Sequence, residues 1–398
     1  MRILFVGMVN AIHAVRWTAL IADQGWEIYF FPVERARLHP SFQKTTIFNP
    51  NIFPRRYPSG NEVRLLPWVS PLFLLEAKLP KILKRPAPTF SASALARIIQ
   101  IYKPDLIHSL EMQHAGYLTL KAKERLGGNF PTWAMTIWGS DIYLFGRLQE
   151  HKAKIRSVLE ACDYFGSESE RDIHLARELG LKGKVLPVLP ATGAFNLDAC
   201  QKFKRPGLIS ERRAIFLKGY QHFAGRALVG LRALAMCADL LQGYQVDILG
   251  ANPDVALAAK LFSQDTGIPV NIVSDNARDV SDDDVFSAFG RARIAIGLSI
   301  SDGLPRAFLE AIIMGAFPIQ SNTACADEWI VNGETGFIVP PEDPDIIADA
   351  IRQALLNDDL VDRAAEINAL TARERLDEVK IKAQVVNMYQ EIFAEQEK

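Results

Sequence analysis

Ser301-Asp302-Gly303-Leu304-Pro305-Arg306-Ala307-Phe308-Leu309-Glu310-Ala311 turns from a Gly/Pro loop into an apolar, helix-forming run and holds two carboxylates eight positions apart. A Gly-Leu-Pro turn that opens a helix offers backbone N–H groups and a partial positive charge, which suits a phosphate or a sugar hydroxyl. Asp302 precedes the helix and Glu310 sits on its second turn. Such a loop and helix span roughly 12–15 Å, so the two carboxylates are placed to grip opposite ends of one ligand. The alternative is structural: Asp302 as a helix cap and Glu310 as a solvated helical residue.

Outward from this stretch, strand-length apolar runs alternate with helical ones. Toward the N-terminus the pattern predicts strands over 3–7, 27–32, 105–110, 132–138, 164–167 and 184–189, and helices over 13–24, 88–102, 113–126, 152–161 and 169–179. A second series predicts strands over 213–217, 245–250, 270–273, 294–298 and 316–320, with helices over 225–241, 253–266, 281–289 and 305–314. Strand–helix–strand alternation implies parallel sheets with right-handed crossovers, hence an α/β protein of two doubly wound domains. The expected divisions are 1–200, 201–375 and a closing segment 376–398, whose residues 377–394 read as one helix. The polar segment 192–211, with Gly193, Pro206 and Gly207, reads as the linker.

With 398 residues and 49% hydrophobic content, the chain can fill two cores of ordinary size. A formal net charge of −1 and a pI of about 6.7 give no global field for nucleic acid. Cys162, Cys200, Cys237 and Cys325 lie far apart, with no zinc spacing, and read as small buried hydrophobes of a reducing compartment. Met1-Arg2-Ile3-Leu4-Phe5-Val6-Gly7 reads as a first strand, too short for a secretory signal, and no apolar run reaches the ~18 residues of a membrane span. A cytoplasmic protein is expected. The stretch 68–85 mixes apolar and basic residues, with Arg55, Arg56 and Tyr57 nearby, and suits the interface at the inner face of a membrane. Pro80 breaks any long amphipathic helix there, so a core-packed helix with a basic edge stands as the alternative.

Other candidates sit at strand ends. Gly7-Met8-Val9-Asn10-Ala11-Ile12-His13 turns from strand to helix without a Gly-x-Gly-x-x-Gly, which weakens a dehydrogenase reading. Asn10 is either a ligand contact or the helix cap. Trp138-Gly139-Ser140-Asp141 follows another strand, and Asp141 either meets a ligand or caps a short helix. His108 is either a cleft residue or a satisfied structural histidine. Gly250 and Ser274 fall on the carboxyl edge of the second series, where α/β sheets bind ligands. Ser281-Asp282-Asp283-Asp284 holds an Asp-x-Asp but opens a helix, so capping is favoured over a metal site.

Taken together, the order and spacing from Gly297 to Leu356 resemble the retaining GT-B glycosyltransferases of the GT4, or group 1, type, whose C-terminal half carries Glu-x7-Glu, a small-residue helix and a Gly. Here the element is Asp302-x7-Glu310, followed by Ala311-Ile312-Ile313-Met314-Gly315, and Asn332-Gly333-Glu334-Thr335-Gly336 resembles the family's next turn. The first carboxylate departs from the family's Glu, and Trp138 stands where the family's His-Gly-Ser-Asp loop has His. The family places an Arg and a Lys after the first strand of its second domain; Lys218-Gly219 and Gly225-Arg226 supply both in the opposite order.

The resemblance implies two Rossmann-like domains with a C-terminal helix crossing back to the first. It implies retaining transfer of a hexose-type sugar from a UDP- or GDP-linked donor to a glycan or lipid-linked acceptor, in surface polysaccharide or lipopolysaccharide synthesis. No metal or further cofactor is implied. Lys218, Arg226, Asp302 and Asp141 are then the catalytic candidates, and Glu310, Gly303, Leu304, Pro305, Ser274 and Gly250 bind the donor. Gly7, Asn10, His13, Trp138 and His108 become the acceptor or cleft residues. A nucleotide-sugar epimerase, a phosphorylase or a non-catalytic subunit on the same fold stay open.

Overall fold

The computed structural model describes residues 1–49, 62–67, 91–191, 193–274 and 280–396. The stretch 68–85 and Arg55, Arg56 and Tyr57, read as a membrane surface, lie outside the described residues. Met1–Ala194 with Ile381–Lys398 form one compact unit, and Phe195–Lys380 form a second.

In the first unit β1 (Arg2–Gly7) is flanked by β2 (Glu27–Pro32), β3 (Thr46–Asn49) and β4 (Arg64–Pro67) on one side. On its other side follow β5 (Leu106–Leu110), β6 (Thr132–Thr136), β7 (Tyr164–Gly166) and β8 (Lys184–Val185). All neighbours pair in parallel, and the sheet order is β4-β3-β2-β1-β5-β6-β7-β8. Successive side chains of a strand point to opposite faces. Leu4 and Val6 therefore join one core with Phe31, Ile107 and Trp133, while Ile3 and Phe5 join another with Phe30 and Leu106. Burial on both faces explains the near-continuous apolar strands.

The second face is covered by the helix Glu378–Gln396, which buries Ile381, Val385, Met388, Tyr389, Ile392 and Phe393. His108 is tied to this helix. Its Nδ1 lies 2.6 Å from the Tyr389 hydroxyl, its Nε2 lies 2.7 Å from Thr136 Oγ1, and Trp17 Nε1 donates to the same tyrosine oxygen at 2.9 Å. The ring is fully buried, and burial pushes its pKa down to about 3. His108 is thus a neutral core histidine, and its reading as an acceptor or cleft residue is corrected: a parallel strand buries both its faces, so a polar residue on it can point into the core.

The second unit has the order β13 (Val270–Ser274), β12 (Gln245–Leu249), β9 (Ala214–Lys218), β14 (Ala292–Gly297), β15 (Phe317–Ser321), β16 (Phe337–Val339), all parallel. Counted within the unit this is 3-2-1-4-5-6, the doubly wound dinucleotide-fold order. The boundary between the two units, Ala194/Phe195, falls inside the segment read as linker, and residues 195–211 belong to the second unit. Asn196 caps the helix Leu197–Gln201 through the Ala199 N–H at 2.9 Å, and Phe195, Leu197 and Cys200 are buried in the second unit's core. The predicted helix 225–241 starts later, as Ala227–Ala235, because Gly225–Arg226 (β11) pairs with Gln221–His222 (β10) in an antiparallel hairpin. A Cβ at Gly225 would stand 2.3 Å from Tyr220 Cβ, so only glycine fits there. Among the described residues no helix is long and apolar enough to cross a membrane.

Tyr389→Phe removes the hydroxyl that Trp17 and His108 share inside the core, and a loss of about 1–3 kcal/mol is expected as a lower thermal midpoint; an unchanged midpoint would show the hydroxyl to be dispensable. Because the folded state depresses His108, the stability it supports is intact above 6.5 and is lost as pH falls toward about 3. Midpoints across that window should fall more steeply in the wild type than in His108→Gln.

Candidate active site

In a doubly wound sheet, ligands lie beyond the carboxyl ends of the strands where the order reverses. In the second unit that place is the junction of β9 with β14. Lys218 ends β9, and Leu298–Asp302 leave β14. Lys218 Nζ meets Asp302 Oδ2 at 2.8 Å, with the lysine only 8% exposed. The Tyr220 ring lies 5.3 Å from the same ammonium. Gly219 N–H donates to the Leu249 carbonyl and Gly250 N–H to the Ser274 carbonyl, each at 2.8 Å, which knits the ends of β9, β12 and β13 together. A Cβ on Gly219 would stand 2.6 Å from Ile248 Cγ2 and 2.8 Å from the Leu249 oxygen, so the approach needs a glycine.

The helix after the Gly-Leu-Pro turn runs Arg306–Met314, with Pro305 as N-cap and no side-chain cap. Asp302 is therefore not its cap; the Asp302 Oδ1 accepts the Gly303 N–H at 3.1 Å. Nor is Glu310 a solvated helical residue. It is buried, and its Oε1 takes Arg306 Nε at 2.6 Å, while Arg306 Nη2 meets Asp282 Oδ1 at 2.7 Å. Burial alone would lower the Arg306 pKa, but Glu310 and Asp282 outweigh it and raise it. Arg306 has no role in the sequence reading, although its four-residue spacing to Glu310 on a helix is the signal for such a pair. Ser281 caps the helix Asp282–Arg291 through the Asp284 N–H at 3.1 Å, as expected for that acidic run. Among the described residues no group of three or more His, Cys, Asp or Glu is arranged to hold a metal ion.

Arg226 reaches this region through the hairpin. Its N–H donates to the Leu298 carbonyl at 3.0 Å, its Nε meets Glu342 Oε1 at 2.8 Å, and its Nη1 donates to the His222 carbonyl at 2.8 Å. Leu304 is buried at the turn.

The first unit gathers a different set at the ends of β1, β5 and β6. Gly7 ends β1, where a Cβ would stand 3.3 Å from the Phe30 ring and 3.5 Å from Leu110 Cβ. Asn10 is not the helix cap: Ala11 holds that position, with no side-chain bond, before the helix Ile12–Ala19. The His13 ring lies 5.1 Å from that of Trp138. Asp141 Oδ2 accepts N–H groups from Met112 and Trp138, both at 2.9 Å, so it joins the loops after β5 and β6 rather than capping its own helix, Ser140–Tyr143. Burial, then the neighbouring Glu111 carboxylate and Asp172, push the Asp141 carboxyl well above the usual range against the two backbone N–H groups.

Glu111 is a second residue that sequence reasoning missed. Its φ is +85°, a region non-glycine residues seldom occupy, and it accepts the N–H groups of Gln113 at 2.7 Å, His114 at 2.9 Å and Ala115 at 3.3 Å. A carboxylate of the chain thus occupies the amino end of the turn Met112–Gly116.

Comparison with known proteins accords with this geometry. Residues 231–370 match the family model "Glycosyl transferases group 1" and residues 75–169 match "Glycosyl transferase 4-like". The chain is a GT-B glycosyltransferase of the GT4 type. Its fold is similar to that of sucrose-phosphate synthase from Thermosynechococcus elongatus, at 16% identity over 99% of this chain and 100% of that one, with a TM-score of 0.68. Anabaena HepE in complex with UDP and glucose aligns at 13% identity over 98% of this chain and 100% of that one, TM-score 0.67. A glycosyltransferase from Rickettsia africae aligns at 18% over 98% of each chain, TM-score 0.62. No curated protein matches the sequence.

For this glycosyltransferase, Asp141→Asn keeps an oxygen for both N–H groups and removes the charge. A raised folded pKa means the stability of the acid form is full below 3.8 and is lost as pH rises through the folded value. The variant should therefore melt higher than the wild type at neutral pH, with the gap closing below about pH 4. A lower melting point at pH 7 would show that the carboxylate is favourable as it stands.

Proposed function

We propose that this glycosyltransferase moves a hexose-type sugar, with retention at the anomeric carbon, from a UDP- or GDP-linked donor to a glycan or lipid-linked acceptor in surface-polysaccharide or lipopolysaccharide synthesis at the cytoplasmic face of the membrane. The observation that carries the reading is the Lys218–Asp302 pair, 2.8 Å apart at the order reversal of the second sheet and beside a helix start with no side-chain cap. It supports a site where a donor diphosphate exchanges for Asp302 at the ammonium. HepE structures hold UDP, and UDP-glucose in another crystal, which favours a uridine nucleotide.

In this scheme Lys218 and Arg226 take the charge that develops on the departing diphosphate. Asp302, released from Lys218, accepts hydrogen bonds from sugar hydroxyls next to the N–H groups of Gly303 and Leu304. Glu310, held in place by Arg306, accepts the ribose hydroxyls, and Gly250 and Ser274 frame the base with backbone groups. The bond from the anomeric carbon to the diphosphate oxygen breaks, a bond to the acceptor oxygen forms on the same face, and the acceptor proton passes to the departing phosphate. No carboxylate is needed as a nucleophile and no metal as a Lewis acid; stabilisation comes from fixed cations and N–H groups aimed at developing charge. Asp141, Trp138, His13, Asn10 and Gly7 of the first unit are the residues proposed for the acceptor.

Two variants test it. Lys218→Ala should lower kcat for transfer or donor hydrolysis by about 10²–10³ with a smaller change in KM. Asp302→Asn should bind UDP or GDP several-fold more tightly, since no carboxylate competes for Lys218, and yet turn over more slowly. Calorimetric titration with each nucleoside diphosphate alongside steady-state assays reads both effects; unchanged turnover in Lys218→Ala would sink the assignment.

A further inference from the structure

The hairpin between β9 and the helix Ala227–Ala235 presents a histidine that the scheme above leaves unused. It is fixed at both ends of the site. The Phe223 carbonyl accepts N–H groups from Ile300 at 2.8 Å and Ser301 at 3.1 Å, and Gln221 N–H donates to Asn252 Oδ1 at 3.1 Å. The loops leaving β14 and β12 therefore hold its tip and its base. Within the hairpin, His222 stands opposite Gly225 and its Nδ1 accepts the Ala224 N–H at 3.1 Å. An imidazole nitrogen that accepts carries no proton, so the ring's single proton is on Nε2, on the far side of the ring from that amide.

The surroundings keep the ring in this form. His222 stacks on Tyr220, with centroids 5.3 Å apart and planes at 20°, and Tyr220 in turn lies 5.3 Å from the Lys218 ammonium. Burial, then Lys218, lower the His222 pKa below the ordinary histidine range; Asp302 opposes them and Arg226 adds to them. Glu342 is drawn onto Arg226. At neutral pH the result is a neutral, tautomer-fixed N–H donor beside two cations.

We propose that the Nε2–H of His222 is a third ligand for the donor diphosphate, donating to a non-bridging phosphate oxygen alongside Lys218 and Arg226. The inference rests on the reading of those two residues as diphosphate ligands. Two cations draw the anion to this loop, and an uncharged donor held by backbone contacts adds direction without bringing another charge to be desolvated.

Asparagine and glutamine separate the two nitrogens of the ring. In His222→Asn the amide oxygen replaces Nδ1 and keeps the Ala224 bond, but no N–H reaches the position of Nε2; in His222→Gln a longer amide carries N–H there. Titration of the full chain with UDP, GDP and uridine, with thermal midpoints as a folding control, should show a Kd for the cognate diphosphate about tenfold or more weaker in His222→Asn. His222→Gln should stay within about threefold of the wild type, and uridine should be unaffected by either change. Wild-type affinity in His222→Asn, or equal weakening in both variants, would overturn the proposal. If Lys218→Ala leaves UDP and GDP affinity untouched, it is the diphosphate reading itself that fails.

Discussion

An ammonium with almost no access to water requires a counter-charge, and in the second unit it finds one across the order reversal of the sheet. The Lys218–Asp302 contact at 2.8 Å joins the end of β9 to the loop leaving β14. A buried cation deprived of its partner is costly, whereas a pair that can be exchanged for a ligand's own charge leaves the site stable when empty and ready when filled. The rest of the region is arranged around that junction. Gly219 lets β9 approach β12, the Gly303 N–H turns Asp302 toward its partner, and the hairpin returns Arg226 to the Leu298 carbonyl.

The two units solve opposite electrostatic problems. In the second, Asp302 and Glu310 each meet a side-chain cation, Lys218 and Arg306. In the first, the Glu111 carboxylate opposes ionisation of Asp141; backbone N–H groups hold both, three for Glu111 and two for Asp141, the His114 ring also meets Glu111 at 3.1 Å, and Arg171 pairs with Asp172 at 2.9 Å. Backbone amides supply only partial charge, so the Asp141 carboxyl stays biased toward its acid form, and Glu111 accepts a left-handed backbone to reach its three donors. A left-handed backbone at Glu111 and a raised carboxyl at Asp141 sit together at the ends of β5 and β6, a combination that gathers at functional sites.

Much of the fold was legible because hydrophobic periodicity is a local property. Parallel strands buried on both faces read as short apolar runs, and helices between them read at their own period. The carboxyl ends of those strands then bring Lys218, Gly250, Ser274 and Asp302 to one edge of the second series. What escaped depended on distant partners or on backbone geometry. The structural reading of His108 is the one that holds, but the partner that satisfies it, Tyr389, arrives from 281 positions away, which nothing near His108 announces. Segment 192–211 looked polar on average, yet Phe195, Leu197 and Cys200 inside it are spaced to bury one side. Glu111 needed its φ of +85° to be recognised. Arg306 was readable from its spacing to Glu310, yet no role was assigned to it.

The reversed order of Lys-Gly and Gly-Arg after β9 is the instructive case. Read as a string, it breaks the family's pattern and puts the two cations on the wrong sides of each other. In space a two-stranded hairpin sets Arg226 opposite Gln221 and returns its backbone to the end of β14, while Lys218 stays at the end of β9. Sequence order is thereby uncoupled from position: both cations flank neighbouring strand ends, and the five residues between Gly219 and Gly225 become free to carry something else. Tyr220 and His222 occupy that freedom, one ring against the other and both within the field of Lys218. Under the proposed scheme the hairpin holds both cations and also gives a third, neutral donor a rigid place beside them.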